Sequence, residues 1–288
     1  MAQADHVPNG KRTLAVALAC HNRRPLTLRC LQGLHAQAAD FNLRIFLFDD
    51  GSSDGTGDAV RAAFPDVTII EGDGHAFWGG GMYRAISAAL DTDFNDLLWL
   101  NDDVALYPDA LQRLIDAQAG ADAQFGPGSS LIVGATREPG SDSISYAGFR
   151  RRSRLSPVWL QRVEPTPGAL TPCDTMHGNV VLVPAAAARA IGPNDPKLIH
   201  ELGDLDYGYR AGKAGYKILI APQAVGECAS NPRSRKSTPP GTLRQRWKQL
   251  NTPHGLPIGP WRHFMWRHGG MLGMAELGTI YFKRLTGW

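Results

Sequence analysis

The chain has 288 residues, 43% of them hydrophobic and 20% charged, with a formal net charge of +3. That length allows one large α/β domain or two small ones, and that composition excludes global disorder. The net charge is too small to call for nucleic acid; what stands out is where the basic residues sit, and many fall in 242–288.

The opening stretch MAQADHVPNGKR has no apolar leader core, and no run approaches the ~18 apolar residues of a spanning helix. Cys20, Cys30, Cys173 and Cys228 are scattered with no CxxC pair, which reads as reduced thiols in a cytosolic protein. Thr13–Cys20 (TLAVALAC) predicts a buried strand, and His21-Asn22-Arg23-Arg24-Pro25 a loop after it. Thr27, Cys30, Leu31, Leu34 and Ala38 then recur at helical spacing. Arg44–Phe48 is a second strand, running into the turn- and cap-rich loop Asp49–Thr56 before a helix near Asp58. Val67–Ile70 is a third strand. Gly72–Gly81 reads as a glycine-rich loop, and Met82, Ala85, Ile86, Ala89 and Leu90 as a helical stripe.

The run Leu97-Leu98-Trp99-Leu100 predicts a strand buried on both faces, ending in Asn101-Asp102-Asp103. A helix carrying Leu111, Leu114 and Ile115 follows. This β-α-β-α-β-α-β order predicts a Rossmann-like, doubly wound and mainly parallel sheet. Beyond it, Leu131–Ala135, Ser143–Phe149, Val180–Val183 and Tyr216–Ala221 read as strands, and Ala185–Ile191 and Asp204–Lys213 as helices. Arg150–Arg154 is a basic turn, NPRSRKSTPPG a linker, and 242–288 a tail interleaving cations with aromatics.

In open α/β sheets ligands bind beyond the carboxyl ends of the strands. Adjacent carboxylates at the end of the Leu97–Leu100 strand repel each other and invite a hard divalent cation shared with substrate phosphates. The other reading is a polar loop with one Asp capping the helix near Asp109. Asp50, with Asn22 on the neighbouring strand end, can accept a hydrogen bond from a base N–H or a ribose hydroxyl; a loop-and-cap role needs only one such residue, and this loop has several. No G-x-G-x-x-G follows the first strand and no Walker A lysine loop is present, which argues against nicotinamide, flavin and P-loop chemistry. Trp78, flanked by small residues, either covers a sugar face or packs under the next helix. His177 and His254 are extra candidate metal ligands, more often structural. Cys228 has no neighbour in sequence to make it a nucleophile.

The order strand–HNRR, strand–FDDGSSDGT, glycine-rich helix, strand–NDDV resembles the family 2 glycosyltransferases, of inverting GT-A fold and polysaccharide/rhamnosyltransferase-like type. Asp49–Thr56 matches the family's D-D-G-S-x-D-G-T in full, and Asn101-Asp102-Asp103 its D-x-D, with Asn at the first position. Where the family's first-strand loop usually ends in Thr/Tyr-Asn, this chain has Ala19-Cys20-His21-Asn22. Cys173–Pro184 resembles G-N-x-x-L-x-P near the acceptor, and Glu201–Arg210 resembles E-D-x-D-x-x-x-R, with Gly203 where a Glu usually precedes the Asp. The resemblance covers residues 12–230.

It implies a donor half over 1–105, an acceptor half over 106–230 and a linker with a helical tail over 231–288. It implies Asp204 as general base, with the alternative that Asp204 caps its helix. Asp103, with Asn101, would hold Mn²⁺ or Mg²⁺. His21, Asn22, Asp50, Trp78, Gly79 and Asp102 would bind the nucleotide sugar, a UDP- or dTDP-sugar being favoured. Asp206 is then a first-turn acid or a contact to Arg210. The acceptor would be a glycan or lipid-linked glycan of a bacterial-type surface. The tail is open to two readings, a membrane-surface segment on the inner face of the cell membrane or a helical unit packed on the domain or a dimer partner. No nucleic-acid partner is expected. Rival readings are a sugar nucleotidyltransferase and a catalytically silent nucleotide-sugar-binding subunit of a membrane assembly.

Overall fold

A computed structural model of the chain describes residues 10–231, 241–253 and 255–287. The expected linker, apart from its two end residues, lies outside the described residues, as do the N-terminal stretch 1–9, His254 and Trp288.

The first half runs β1 (Arg12–Cys20), α1 (Arg24–His35), β2 (Phe41–Asp49), α2 (Thr56–Ala63), β3 (Thr68–Glu71), α3 (Phe77–Leu90) and β4 (Asp96–Leu100). β1 pairs in parallel with β2 and β4, and β2 with β3. The expected βα alternation is therefore present, with α3 starting earlier than the apolar stripe suggests. Residues on the two faces of β1 enter different cores. Leu14, Val16, Leu18 and Cys20 pack with α1 and the later helix Ala110–Phe125, whereas Ala15, Ala17 and Ala19 pack with α3. The small face matters, because a Cβ on Gly81 would lie 2.8 Å from Ala19 Cβ and from the Phe48 ring. Alanines on the strand and glycines on the helix let the two backbones approach closely.

The second half holds β5 (Ala105–Leu106), α4 (Ala110–Phe125), β6 (Ser130–Arg137), β7 (Ile144–Tyr146), β8 (Gly148–Arg151), β9 (Leu160–Val163), β10 (Thr171–Cys173), β11 (Thr175–Met176), β12 (Val180–Pro184), α5 (Ala185–Ile191), α6 (Gly203–Lys213) and β13 (Lys217–Glu227). The main sheet has the order β10-β13-β6-β12-β4-β1-β2-β3. It is mainly parallel on the β1–β4 side, but β12 runs antiparallel to both β4 and β6. The one strand expected over Ser143–Phe149 is two. β7 pairs with β6, while β8 joins β9 and β11 in a separate sheet. Gly148 sits at the break, where a Cβ would collide with the Cys173 sulfur.

The tail forms α7 (Leu243–Leu250) and α8 (Ile258–Thr286). No helix among the described residues is long and apolar enough to cross a membrane. Trp261, Phe264, Met265, Leu277 and Tyr281 are buried in a third core with Leu198, Leu202 and Tyr209, so this part of the tail packs on the body. Beside that core Asp206 is fully buried. It accepts from Arg210 Nε at 2.8 Å, Arg267 Nη1 at 2.9 Å and His268 Nε2 at 2.8 Å. The expected Asp206–Arg210 contact is thus one part of a cluster that ties α6 to α8. Burial works to raise the Asp206 carboxyl, but the His268 bond and the Arg210 and Arg267 contacts outweigh it and hold the group at about 2. Burial pushes the His268 imidazole down from its ordinary value, so it is held neutral.

Removing the charge at Asp206 leaves the partly buried Arg210 and Arg267 without their shared carboxylate, and Asp206→Asn is expected to destabilise the fold by about 3 kcal/mol, read by denaturant unfolding. The pH dependence follows from the signs. His268 resists protonation in the fold, so stability begins to fall as pH drops through the ordinary histidine range. Asp206 is depressed, so its contribution is complete above the ordinary carboxylate range and is lost as pH falls towards about 2. Thermal melts should therefore fall on acidification from neutrality, and His268→Gln should flatten the upper part of the profile.

Candidate functional site

The carboxyl ends of β1, β2 and β4 lie on one edge of the sheet, with Cys20 level with Asp49 in the β1–β2 register. Much of the Asp49–Thr56 motif holds its own loop together. Asp49 Oδ1 accepts from Ser52 N–H at 3.0 Å. Asp54 accepts from the backbone of Thr56 and of Arg24, each at 3.0 Å. Asp50 is the exception. Its carboxylate, 4% exposed, accepts backbone N–H bonds from Gly74 at 3.0 Å, Ala76 at 3.2 Å and Phe77 at 2.9 Å. It therefore fixes the start of α3, at the positive end of that helix. The Asp50 carbonyl is 2.7 Å from His21 Nδ1. Asn22 takes a left-handed backbone (φ 51°) and accepts from Ser53 N–H at 2.7 Å.

A cavity of about 330 Å³ opens here, lined by His21, Arg23, Asp50, Phe77, Trp78 and Asp102 among others. Asn22 is not in its lining but braces the loop beside it. Gly79 is also absent from the lining. It is buried under the 198–199 backbone, where a Cβ would overlap the Leu198 carbonyl, and its N–H donates to Ile199 O at 2.7 Å. It serves close packing.

At the end of β4 the acidic cluster already holds a cation, Arg23. Its Nη1 lies 2.9 Å from Asp103 Oδ2 and 3.4 Å from Asp102 Oδ1. Asp102 is buried and also accepts from Thr27 Oγ1 at 3.1 Å. Burial first, and then the Asp103 charge, raise its carboxyl to about 7 against the opposing pull of Arg23 and Thr27. Asp103 also accepts from the Cys228 thiol at 3.4 Å. Burial and the Asp103 charge push that thiol far up, so Cys228 is a protonated donor. Asn101 Oδ1 is engaged by Trp78 Nε1–H at 2.8 Å. The capping alternative does not describe this cluster, because α4 starts later, at Ala110, and Asp109 before it makes no side-chain cap bond.

The second half meets this edge because β12 is antiparallel to β4. Val180 stands opposite Leu100, and Asn101 N–H donates to Asn179 O at 2.8 Å. Gly178 is then pressed between Trp78 and Asp204. A Cβ there would lie 2.7 Å from Trp78 Cη2 and 3.2 Å from Asp204 Cβ. Asp204 accepts from Gly178 N–H at 3.2 Å and from Leu205 N–H at 2.8 Å, and lies 3.4 Å from His177 Nδ1. It sits inside α6, whose cap position is Leu202 in a left-handed backbone (φ 68°), so the cap reading is not what the helix uses. A second cavity of about 420 Å³ is lined by Arg23, Trp78, Asn101, Asp103, His177 and Asp204 among others. Arg23, Trp78 and His200 line both cavities, which makes them one cleft.

Trp78 combines both of its expected roles. It lies in the first turn of α3, packs 6.3 Å from Trp99, and still faces both cavities. His177 stands on Asp204 rather than in an acidic cage. Arg23, Thr27 and Gly178 were not singled out from the sequence, although HNRR and H-G-N carried the signal. Asp102 and Asp103 offer hard oxygen donors with a counter-charge already in place. Among the described residues no cluster of three or more His, Cys, Asp or Glu could enclose a metal. The pair therefore suits a Mg²⁺- or Mn²⁺-like ion that keeps water and phosphate ligands.

Residues 15–156 match the family model for glycosyl transferase family 2. An N-acetylglucosaminyl-diphospho-decaprenol L-rhamnosyltransferase of Mycobacterium tuberculosis is 25% identical over 244 residues, 73% of this chain and 74% of that protein. Succinoglycan biosynthesis protein ExoA of Rhizobium meliloti is 28% identical over 214 residues, 71% of this chain and 59% of its own. Among solved structures, residues 1–349 of S. aureus TarS superpose with TM-score 0.54 at 14% identity, over 75% of this chain and 60% of that one. The mannosyltransferase PcManGT from Pyrobaculum calidifontis, in complex with GDP-Man and Mn²⁺, gives TM-score 0.54 at 15% identity over 96% of this chain and 77% of that one. Those structural likenesses carry the fold, and the sequence matches carry the family. Residues 15–156 are thus a glycosyl transferase family 2 domain, and the chain is a glycosyltransferase of GT-A fold.

Proposed function

We propose that the chain moves a sugar, with inversion, from a nucleoside-diphosphate sugar to a hydroxyl of a glycan or lipid-linked glycan. Asp204 is the general base, and a divalent cation sits at Asp103 and Asp102. The observation that carries this reading is the single cleft in which Asp204 and the β4 carboxylates share a lining across Trp78. The relatives support it. One is a rhamnosyltransferase named for a diphospho-decaprenol acceptor, one a succinoglycan biosynthesis protein, and one neighbour is solved with UDP. We assign the donor to the 330 Å³ cavity of the 1–105 half, with a UDP- or dTDP-sugar favoured, and the acceptor to the 420 Å³ cavity that 106–230 mostly builds.

In this scheme the acceptor oxygen bonds to the anomeric carbon as the bond from that carbon to the diphosphate oxygen breaks. The acceptor proton passes to Asp204, and the nucleoside diphosphate leaves. Backbone N–H donation from Gly178 and the nearby His177 ring fix the carboxylate's direction. A bound divalent cation supplies positive charge to the leaving diphosphate. Arg23 neutralises the β4 carboxylates when the cation is away and lines the donor cavity, ready to face phosphate.

Four outcomes test this. A UDP- or dTDP-sugar should raise the melting temperature only with Mn²⁺ or Mg²⁺ present, by roughly the equivalent of 2.7 kcal/mol at a hundredfold excess over Kd. Asp204→Asn should keep that shift while lowering turnover about 10²–10⁴-fold; normal turnover would remove Asp204 from the mechanism. Arg23→Met should tighten Mn²⁺ binding several-fold in the absence of donor, measured by electron paramagnetic resonance, because the ion no longer displaces a resident guanidinium. Gly178→Ala should cost about 1–3 kcal/mol of stability and cut turnover about 100-fold, since its methyl pushes Trp78 and Asp204 apart.

A further inference from the structure

We infer that the tip of the β8–β9 hairpin and the kink of α8 together form a docking surface for an anionic phospholipid bilayer, beside the acceptor cavity. The sequence pointed to the tail as a whole, but the fold withdraws much of it. Trp261, Phe264 and Tyr281 are buried against the body. Leu243, Trp247, Trp266 and Phe282 stay exposed along α7 and α8, and a further group of exposed apolar side chains sits at two adjoining places. Leu155 is 64% and Trp159 56% exposed at the hairpin tip, and Met271 is 81% and Leu272 56% exposed at the kink.

The two places adjoin. Gly269 sits where a Cβ would lie 3.2 Å from Pro157 Cδ, and Ser156 Oγ donates to Glu276 Oε1 at 2.7 Å. The kink has a local cause. Gly270 takes φ 56° and ψ −141°, which interrupts the helix and delivers Met271 and Leu272 directly after the break. The hairpin tip is braced as well, with Arg151 donating to the carbonyls of Ser156 at 3.2 Å and Arg154 at 2.6 Å. Four large apolar side chains are thus held in water on fixed backbone, a costly arrangement for a surface with nothing to cover.

The charges choose the occupant. Arg152 and Arg154 are exposed on the same tip. On α8 ahead of the kink, Trp266, 61% exposed, borders a hollow of about 670 Å³ with Lys197 and Arg262. Single apolar side chains and tryptophans ringed by cations match the boundary between lipid headgroups and acyl chains, where Trp and Arg/Lys concentrate. No helix among the described residues is long and apolar enough to span the bilayer, and the contact these side chains offer is interfacial. The placement is also apt. β8 and β9 bring Phe149 and Leu160 to the acceptor cavity, so the hairpin joins that cavity to the docking surface. The inference rests on exposed residues and holds whatever the donor proves to be.

The test is co-sedimentation of the full chain with phosphatidylglycerol-containing vesicles and, separately, with pure phosphatidylcholine vesicles. Binding is expected to the anionic vesicles and to weaken steeply as salt is raised. Met271→Asp/Leu272→Asp and Arg152→Glu/Arg154→Glu should each reduce the bound fraction about ten-fold. Transfer to a water-soluble acceptor should be unchanged in both, which reports an intact fold and site. Absence of binding by the unmodified chain to anionic vesicles overturns the inference, as does binding that neither variant pair diminishes. A dimer by light scattering that Met271→Asp/Leu272→Asp converts to monomer would assign the surface to a second copy of the chain and equally overturn it.

Discussion

The cleft depends on one strand direction. β12 runs antiparallel to β4, so it starts where β4 ends, and Gly178–Asn179 meet Asn101 across a backbone hydrogen bond of 2.8 Å. Were β12 parallel to β4, its first residue would stand at the opposite edge of the sheet, about 13 Å away for a five-residue strand. The acidic strand end and Asp204 would then have no common cavity. Trp78 completes the junction: its indole N–H is bonded to Asn101 Oδ1, and its ring lies over Gly178 beside Asp204. Only glycine leaves room for that ring, so a packing requirement at one backbone position sets the spacing between two chemical groups.

The electrostatics of the cleft set two adjacent carboxylates against one guanidinium, Arg23. Asp102 and Asp103 are adjacent, Asp102 is buried, and its carboxyl is driven up to about 7 even with Arg23 beside it. Neighbouring thiols are kept protonated and donate, Cys228 to Asp103 and Cys30 to the Asn101 carbonyl at 3.3 Å. Backbone strain gathers in the same place. Asn22, Phe77 and Leu202 are the non-glycine residues with positive φ among those described, and all three belong to loops or helix starts that form the cleft. For Phe77 and Leu202 this is a cost of order 1 kcal/mol or more each, held by surrounding structure. At Phe77 the holding groups are visible in the Asp50 carboxylate and its three N–H bonds.

Much of this was legible in the sequence, and the parts that were not share a cause. Apolar runs ending in polar clusters marked β1, β2 and β4, because strands covered on both faces leave no other signature. Local composition marked the acidic strand end, and the family resemblance marked Asp204. The direction of β12 was invisible, since VVLVP reads the same whichever way it enters the sheet. The early start of α3 was hidden because its N-terminal donors bond to Asp50, which is 24 to 27 residues away in sequence. Glycine-rich HAFWGGG therefore looked like loop. Arg23 appeared as one of a basic pair, and nothing local distinguished it from Arg24; its partners Asp102 and Asp103 are 79 and 80 residues distant. The tail's sorting into buried and exposed aromatics likewise followed from contacts with α6 that no periodicity announces.

Those contacts give the tail a bearing on the chemistry. Asp204 and Asp206 are two positions apart on α6, so their side chains leave the helix about 200° apart. One turns into the cleft, and the other into the cluster with Arg267 and His268 of α8. α6 is thereby gripped from both sides, by Gly178 and His177 at the base and by α8 behind it. Its first residue follows directly on the strained Leu202, so without that second grip the helix start has an easy way to relax. The same α8 carries the kink and its exposed Met271 and Leu272. Met271 lies three residues beyond His268, across the break at Gly270, so the exposed surface stands next to the cluster that grips Asp206, and α6 carries that same grip two positions on to Asp204.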